Sequence, residues 1–190
     1  KIVNNCERLT VMIKDLLTLC DVENLPAYRL SQCFLDDLMA NYREHLLERF
    51  PNASVKIESK VKHPIELTLD GELFQVAIVN LLENAAKYSN PPAQISVVMN
   101  IRDGKAILEI ADKGIGIPKA DLEHIFERFY TVNKAHSKKM GGSGLGLSIV
   151  ETIIEKHKGK ISVDSQVGVG TTFTIELPLN LEELIGQSVE

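Results

Sequence analysis

Residues 80–90 read NLLENAAKYSN. Phe74 and Ile78, just upstream, recur with Leu81 and Ala85 at spacings of four, three and four. At about 100° per residue this draws one apolar stripe down a helix. Asn80, Asn84 and Lys87 draw a second stripe beside it. Two carboxamides and an ammonium bordering a buried face need partners, because a polar group taken out of water unpaired costs about 1–3 kcal/mol. Solvent satisfies them if the stripe is only an exposed helix edge. An oxygen-rich ligand, such as a metal-bound phosphate, satisfies them if it is not.

The surroundings of this helix set the fold class. Asp70 is placed to cap its start, and Ser89, Asn90, Pro91 and Pro92 end it. Before it, Val55, Ile57 and Ser59 alternate, as do Ile65, Leu67 and Leu69, so two strands are expected. After it come Gln94–Arg102 and Lys105–Ala111, joined by the hairpin pair Asp103-Gly104. A second hairpin is expected from Lys160–Asp164 and Thr171–Leu177, around a turn containing Gly168 and Gly170. Tyr28–Cys33 reads as a short strand, and Leu35–Phe50 as an amphipathic helix stopped by Pro51 and Asn52. Strands joined by hairpins and interleaved with helices define an α+β fold, a mixed and mostly antiparallel sheet with helices on one face. A doubly wound parallel sheet is excluded.

Ahead of all this, residues 1–24 carry Ile2 or Val3, Leu9, Ile13, Leu16 or Leu17, and Cys20 at helical spacing. That helix has nothing of its own to pack on, so a partner helix or a second copy is expected to cover it. A chain opening on Lys1 reads as a piece of a longer protein.

Composition narrows the partners. With 44% hydrophobic residues among 190 a sizeable core is available. A net charge of −5 supplies no basic field for nucleic acid or an anionic membrane surface. Cys6, Cys20 and Cys33 are odd in number and form no CxxC, which fits free thiols in a reducing, cytoplasmic setting. No apolar run approaches the roughly 18 residues of a membrane span.

Two glycine clusters remain. Residues 112–118 read DKGIGIP, and 141–147 read GGSGLGL, opening a helix to about His157. Between them lie Phe126, Phe129 and Tyr130, then a polar stretch over 131–139 that has little to bury. Gly142, Gly144 and Gly146 at a helix start leave backbone N–H groups open to an anion. No strand precedes them and no GKS or GKT follows, so neither a Rossmann turn nor a P-loop is present. Asp112 can accept a hydrogen bond from an exocyclic amine such as that of adenine, which guanine does not offer there.

The ordered set NxxxNAxKY, DxGxGIP, FxxFY and GxGLGL resembles the ATP-binding domain of sensor histidine kinases of two-component systems, within the wider group that includes DNA gyrase, Hsp90 and MutL. The resemblance covers about residues 28–179, and the N-terminal helix is similar to the second helix of that family's dimerisation and phosphoacceptor hairpin. It implies a five-stranded mixed sheet covered by three helices. It also implies three parts: a partial acceptor hairpin over 1–25, an ATP-binding domain over 26–180, and a tail over 181–190.

Carried onto this chain, the resemblance implies that Asn84 ligates a Mg2+ bridging the phosphates of ATP, and that Asn80 assists through phosphate or metal-bound water. An amide oxygen suits that hard ion. Lys87 would offset phosphate charge and Tyr88 would line the nucleotide. Asp112 would read the adenine amine, with Gly114, Gly116 and Ile117 alongside the base and Thr171 supporting Asp112 through water. Gly142, Ser143, Gly144, Leu145, Gly146 and Leu147 would wrap the phosphates, and Phe126 and Phe129 would anchor the lid.

Gyrase-like ATPases carry, four positions before the metal-binding asparagine, a glutamate that prepares water for hydrolysis. Here that position is Asn80. The resemblance therefore implies phosphoryl transfer to another nucleophile. Glu83 is rotated about 100° from Asn84 and reads as a surface or metal-shell residue. None of His45, His63, His124, His136 and His157 precedes an acidic residue as the family's acceptor does, so all five read as structural or surface residues. The acceptor would sit on an upstream helix of a homodimeric bacterial parent chain, anchored in the membrane or not, and a response-regulator receiver domain would follow. Many relatives carry Arg where this chain has Thr131, and Lys134, Lys138 or Lys139 would substitute.

Overall fold

The structure is a computed structural model that describes residues 2–24, 29–132 and 142–180, with side chains from residue 9 onward. Tyr28, the side chain of Cys6, His136, the three lid lysines and the tail from residue 181 lie outside the described residues. Helix α1 (Ile2–Asn24) leads to β1 (Leu30–Phe34), α2 (Leu35–Arg49), β2 (Ser54–Ser59), β3 (Glu66–Asp70) and α3 (Gly71–Tyr88). Then follow β4 (Gln94–Arg102), β5 (Lys105–Asp112), α4 (Gly146–Lys156), β6 (Lys160–Gln166) and β7 (Gly170–Pro178).

The main sheet has the order β2-β4-β5-β7-β6. Strands β2 and β4 run parallel, because α3 carries the chain back across the sheet between them. The other three pairings are antiparallel. Strands β1 and β3 leave this sheet and pair with each other, Leu30 opposite Asp70 and Phe34 opposite Glu66. Seven strands thus divide into five and two, which accommodates both the seven expected from patterning and the five of the family sheet.

Alternation makes the sheet amphipathic. Ile95, Val97 and Met99 of β4 turn inward, as do Phe173, Ile175 and Leu177 of β7. Helix α3 lays Phe74, Ala77, Ile78, Leu81, Leu82, Ala85 and Ala86 into the core, and α4 adds Ile149, Val150, Ile153 and Ile154. Asp70 caps α3, its Oδ1 accepting from the Leu73 N–H at 3.1 Å. A cap of this kind contributes about 1 kcal/mol.

Helix α1 presents two faces. Leu19 and Val22 are buried against the rest of the protein. The expected apolar stripe through Leu9, Ile13, Leu16 and Leu17 is left exposed. No helix among the described residues is long and apolar enough to cross a membrane.

Candidate functional site

Helix α3 carries its second stripe along the rim of the sheet, where Asn80, Asn84 and Lys87 are all half-buried. The Asn80 amide donates to the Val76 carbonyl at 2.9 Å, which leaves Oδ1 free of that bond. That oxygen meets the first residue of α4, where a β-carbon on Gly146 would lie 2.9 Å from it. Asn84, one turn further along, makes no side-chain hydrogen bond among the described residues. Leu145, the N-cap of α4, makes no side-chain capping hydrogen bond. Leu145 itself is fully buried and Leu147 packs against the core, so both pin the helix start. Gly142 and Ser143 lead into it, with Ser143 almost wholly buried.

Lys87 does not project freely. Its ammonium lies 2.8 Å from Glu83 Oε2, and the other Glu83 oxygen takes the guanidinium of Arg49 from the end of α2. Both Glu83 oxygens are therefore engaged by cations in this arrangement. Glu83 thereby anchors Lys87. The i,i+4 spacing of Glu83 and Lys87 is readable in the sequence; the Arg49 contact is not.

The far end of α3 meets the turn after β5. Ser89 bridges to Gly114, and the Tyr88 carbonyl accepts from the Ile115 N–H at 3.0 Å. A β-carbon on Gly114 would lie 2.3 Å from that carbonyl. Gly116, at φ +68°, would put one 2.1 Å from the Gln166 carbonyl. These glycines are thus required first by backbone packing within the protein, in addition to any access they give a ligand.

Asp112 is fixed by its Oδ1, which accepts from the N–H groups of Gly114 at 2.8 Å and Thr171 at 3.3 Å. Thr171 supports Asp112 directly through its backbone N–H. Burial pushes the Asp112 carboxyl above its ordinary value, and the two N–H bonds pull it partly back. Among the described residues Oδ2 takes no hydrogen bond. Behind it, Ser165 Oγ accepts from the Ile117 N–H at 2.8 Å, donates to the Gly170 carbonyl at 3.0 Å and meets Thr171 Oγ1 at 2.9 Å. Alternation places Ser165 on the inward face of β6 with Ile161 and Val163, but nothing local in the sequence says which groups it meets there.

Of the two phenylalanines, Phe126 anchors by its ring, edge-on to Phe173 with centroids 6.4 Å apart. Phe129 does so by its backbone. At φ +64° it donates to the Gly144 carbonyl at 2.8 Å and leaves its ring 54% exposed. A β-carbon on Gly144 would lie 2.7 Å from the Phe129 carbonyl carbon, so this contact needs glycine. His157 is buried, its Nδ1 against the Ile153 carbonyl at 2.8 Å and its Nε2 accepting from the Asp70 N–H at 3.0 Å. It is structural, as read from the sequence. Elsewhere, a cavity of about 530 Å3 between α2 and the start of α3 has Glu44, Glu48, Asp70 and Glu72 in its lining, with Arg29 and His45 beside them. Its carboxylates do not suit a polyanion.

The assembled site thus has an amide-bearing helix, a glycine-led helix start and, across from them, a carboxylate with one oxygen open. Among the described residues no three His, Cys, Asp or Glu side chains come together. The chain belongs to the family of histidine kinase-, DNA gyrase B- and HSP90-like ATPases, whose model matches residues 69–181, and within it to the catalytic domains of sensor histidine kinases. It is 37% identical over 174 residues to sensor histidine kinase RppB of Synechocystis, covering 90% of this chain and 38% of that protein. The chain spans less than half the length of such curated relatives. Among solved structures, a mycobacterial sensor histidine kinase, MprB, shares 30% identity at a TM-score of 0.67 over 78% of this chain and 96% of that one. Histidine kinase ThkA, in complex with response regulator TrrA, shares the fold at a TM-score of 0.77 and 23% identity over 96% of this chain and 50% of that one.

Proposed function

We propose that the chain binds MgATP between α3 and the start of α4, and that in the whole protein it transfers the γ-phosphoryl group to a histidine on an upstream acceptor helix. The observation that carries this reading is the pair Asn80 and Gly146, an amide oxygen set against a glycine-led helix start, with no carboxylate at position 80. Asn84 would hold Mg2+ through its amide oxygen, and Asn80 would take phosphate or metal-bound water. The residues fit that ion, because Asn84, one turn from Asn80 on the same stripe, is a half-buried amide without a hydrogen bond among the described residues. Bound there, the ion would neutralise phosphate charge. Asp112 Oδ2 would accept from the adenine amine. Tyr88 and Ile117 would flank the base and Thr171 would support Asp112, while Gly142–Leu147 and Lys87 would face the phosphates and Phe126 and Phe129 would hold the lid.

Residues 1–25 would be the second helix of the acceptor hairpin, 26–180 the catalytic domain and 181–190 a tail. The exposed stripe of α1 would meet the upstream helix and a second protomer. The receiver domain of a response regulator would take the phosphoryl group onto an aspartate, a partnership supported by the fold neighbour ThkA, which forms a complex with response regulator TrrA. The setting would be the bacterial cytoplasm.

Calorimetry with ATP and Mg2+ tests the site: binding is expected in the wild type and is lost in Asn84→Ala. Incubation with labelled ATP tests the transfer reading, since this chain is expected to acquire no acid-labile phosphate on its own histidines. Rapid steady-state phosphate release, abolished by Asn84→Ala, would instead establish a hydrolytic ATPase. Failure to bind nucleotide at all would establish a scaffold.

A further inference from the structure

Helix α1 reaches the proposed phosphate site with a carboxylate. Asp15 Oδ2 accepts from Ser143 Oγ at 2.5 Å, and the same Ser143 oxygen accepts from the Leu145 N–H at 3.1 Å. Asp15, Leu19, Val22 and Glu23 lie at helical spacing on one side of α1. Leu19 and Val22 are 1% and 2% exposed. Glu23 pairs with Arg128, and its carbonyl accepts from Lys156 Nζ of α4 at 3.3 Å. The contact at Ser143 is therefore one point of a docked face, seated on the glycine turn at one end and on the last turn of α4 at the other.

We infer that Asp15 is a further determinant of nucleotide affinity, an anion that α1 holds on Ser143 and that lowers the affinity of the glycine turn for phosphate. The inference rests on the MgATP reading above. Two effects act in the same direction. The Ser143 hydroxyl proton is spent on Asp15 and is withheld from a phosphate oxygen. The carboxylate charge also lies beside the turn whose open N–H groups and helix start would otherwise favour an anion. Repulsion between two such charges is only partly screened where Ser143 is 9% exposed. The face of α1 that docks is distinct from the exposed stripe through Leu9, Ile13, Leu16 and Leu17. Whatever moves α1 through that stripe thereby moves the carboxylate.

The test is a charge series read by nucleotide chemistry. Binding of MgATP, MgADP and adenosine to the whole chain is measured by calorimetry for wild type, Asp15→Asn and Asp15→Lys. Thermal unfolding verifies that each variant folds. MgATP affinity is expected to rise on the order of threefold to tenfold in Asp15→Asn and further in Asp15→Lys. The gain should be smaller for MgADP, absent for adenosine, and reduced as salt is raised. Leu19→Asp, which undocks α1 with Asp15 still in place, should raise MgATP affinity in the same direction. Unchanged or weaker MgATP binding across the series, or an equal gain with adenosine, overturns the role of Asp15. If neither the wild type nor any variant binds MgATP, the site reading itself fails, and this inference with it.

Discussion

Gly146 and Asn80 are matched across the seam between α4 and α3: a β-carbon on the glycine would lie 2.9 Å from the asparagine's Oδ1. The obstacle is a side-chain atom, so Gly146→Ala can be accommodated by rotating the carboxamide away from Val76. Alanine also favours a helix over glycine by about 1 kcal/mol. The expected result is a thermal midpoint within about 3 °C of wild type and a loss of MgATP affinity of about tenfold, 1.4 kcal/mol. A calorimetric titration beside a melting curve separates the two.

Asp112→Asn should divide stability from recognition in another way. An asparagine can keep the acceptor that Gly114 and Thr171 use while turning an NH2 donor where Oδ2 stands. Burial raises the Asp112 carboxyl in the folded state, so the folded protein holds its proton more tightly than the unfolded chain. Its contribution therefore opposes folding as pH rises through that window, and the neutral amide removes the opposition. The unliganded variant should melt at or slightly above the wild-type temperature near pH 7. MgATP binding should fall by roughly tenfold to a hundredfold, the worth of a hydrogen bond to a charged group.

His157 gives the opposite pH signature. Burial lowers its basicity, and its Nε2 is occupied as an acceptor by the Asp70 N–H. The unfolded chain takes up a proton near pH 6.5 while the folded one resists it, so stability is full above about pH 6.5 and is lost as pH falls toward the folded value. Urea midpoints should decline from about pH 6.5 to pH 5 in wild type, and His157→Gln should flatten that part of the profile.

Gly116 and Gly168 share a positive φ, +68° and +77°, but differ in space. Nothing lies within 4 Å of a β-carbon on Gly168, whereas on Gly116 it would stand 2.1 Å from the Gln166 carbonyl. Gly168→Ala should cost about 1 kcal/mol, the backbone penalty alone. Gly116→Ala should cost about 2–4 kcal/mol, because two backbones must part. Equal midpoints in a urea titration would mean that the turn after β5 yields freely.

The sequence by itself determined the elements and the positions that make up most of the candidate site. The extents of α3, β4 and β5 follow from local periodicity, a cap at Asp70 and the Asp103-Gly104 turn, signals that act within a few residues. The same holds for the stripe of Asn80, Asn84 and Lys87 and for the two glycine turns. The tertiary structure decided what depends on residues far apart in the chain. It drew β1 and β3 into a sheet of their own, engaged Arg49 with Glu83 across 34 positions, and set Ser165 behind Asp112. It also divided α1 into a docked face and a bare one. Periodicity reveals that a helix has an apolar side without saying which neighbour meets it. The contact of Asp15 with Ser143 spans 128 positions and exists only because Leu19 and Val22 find their burial on the catalytic domain.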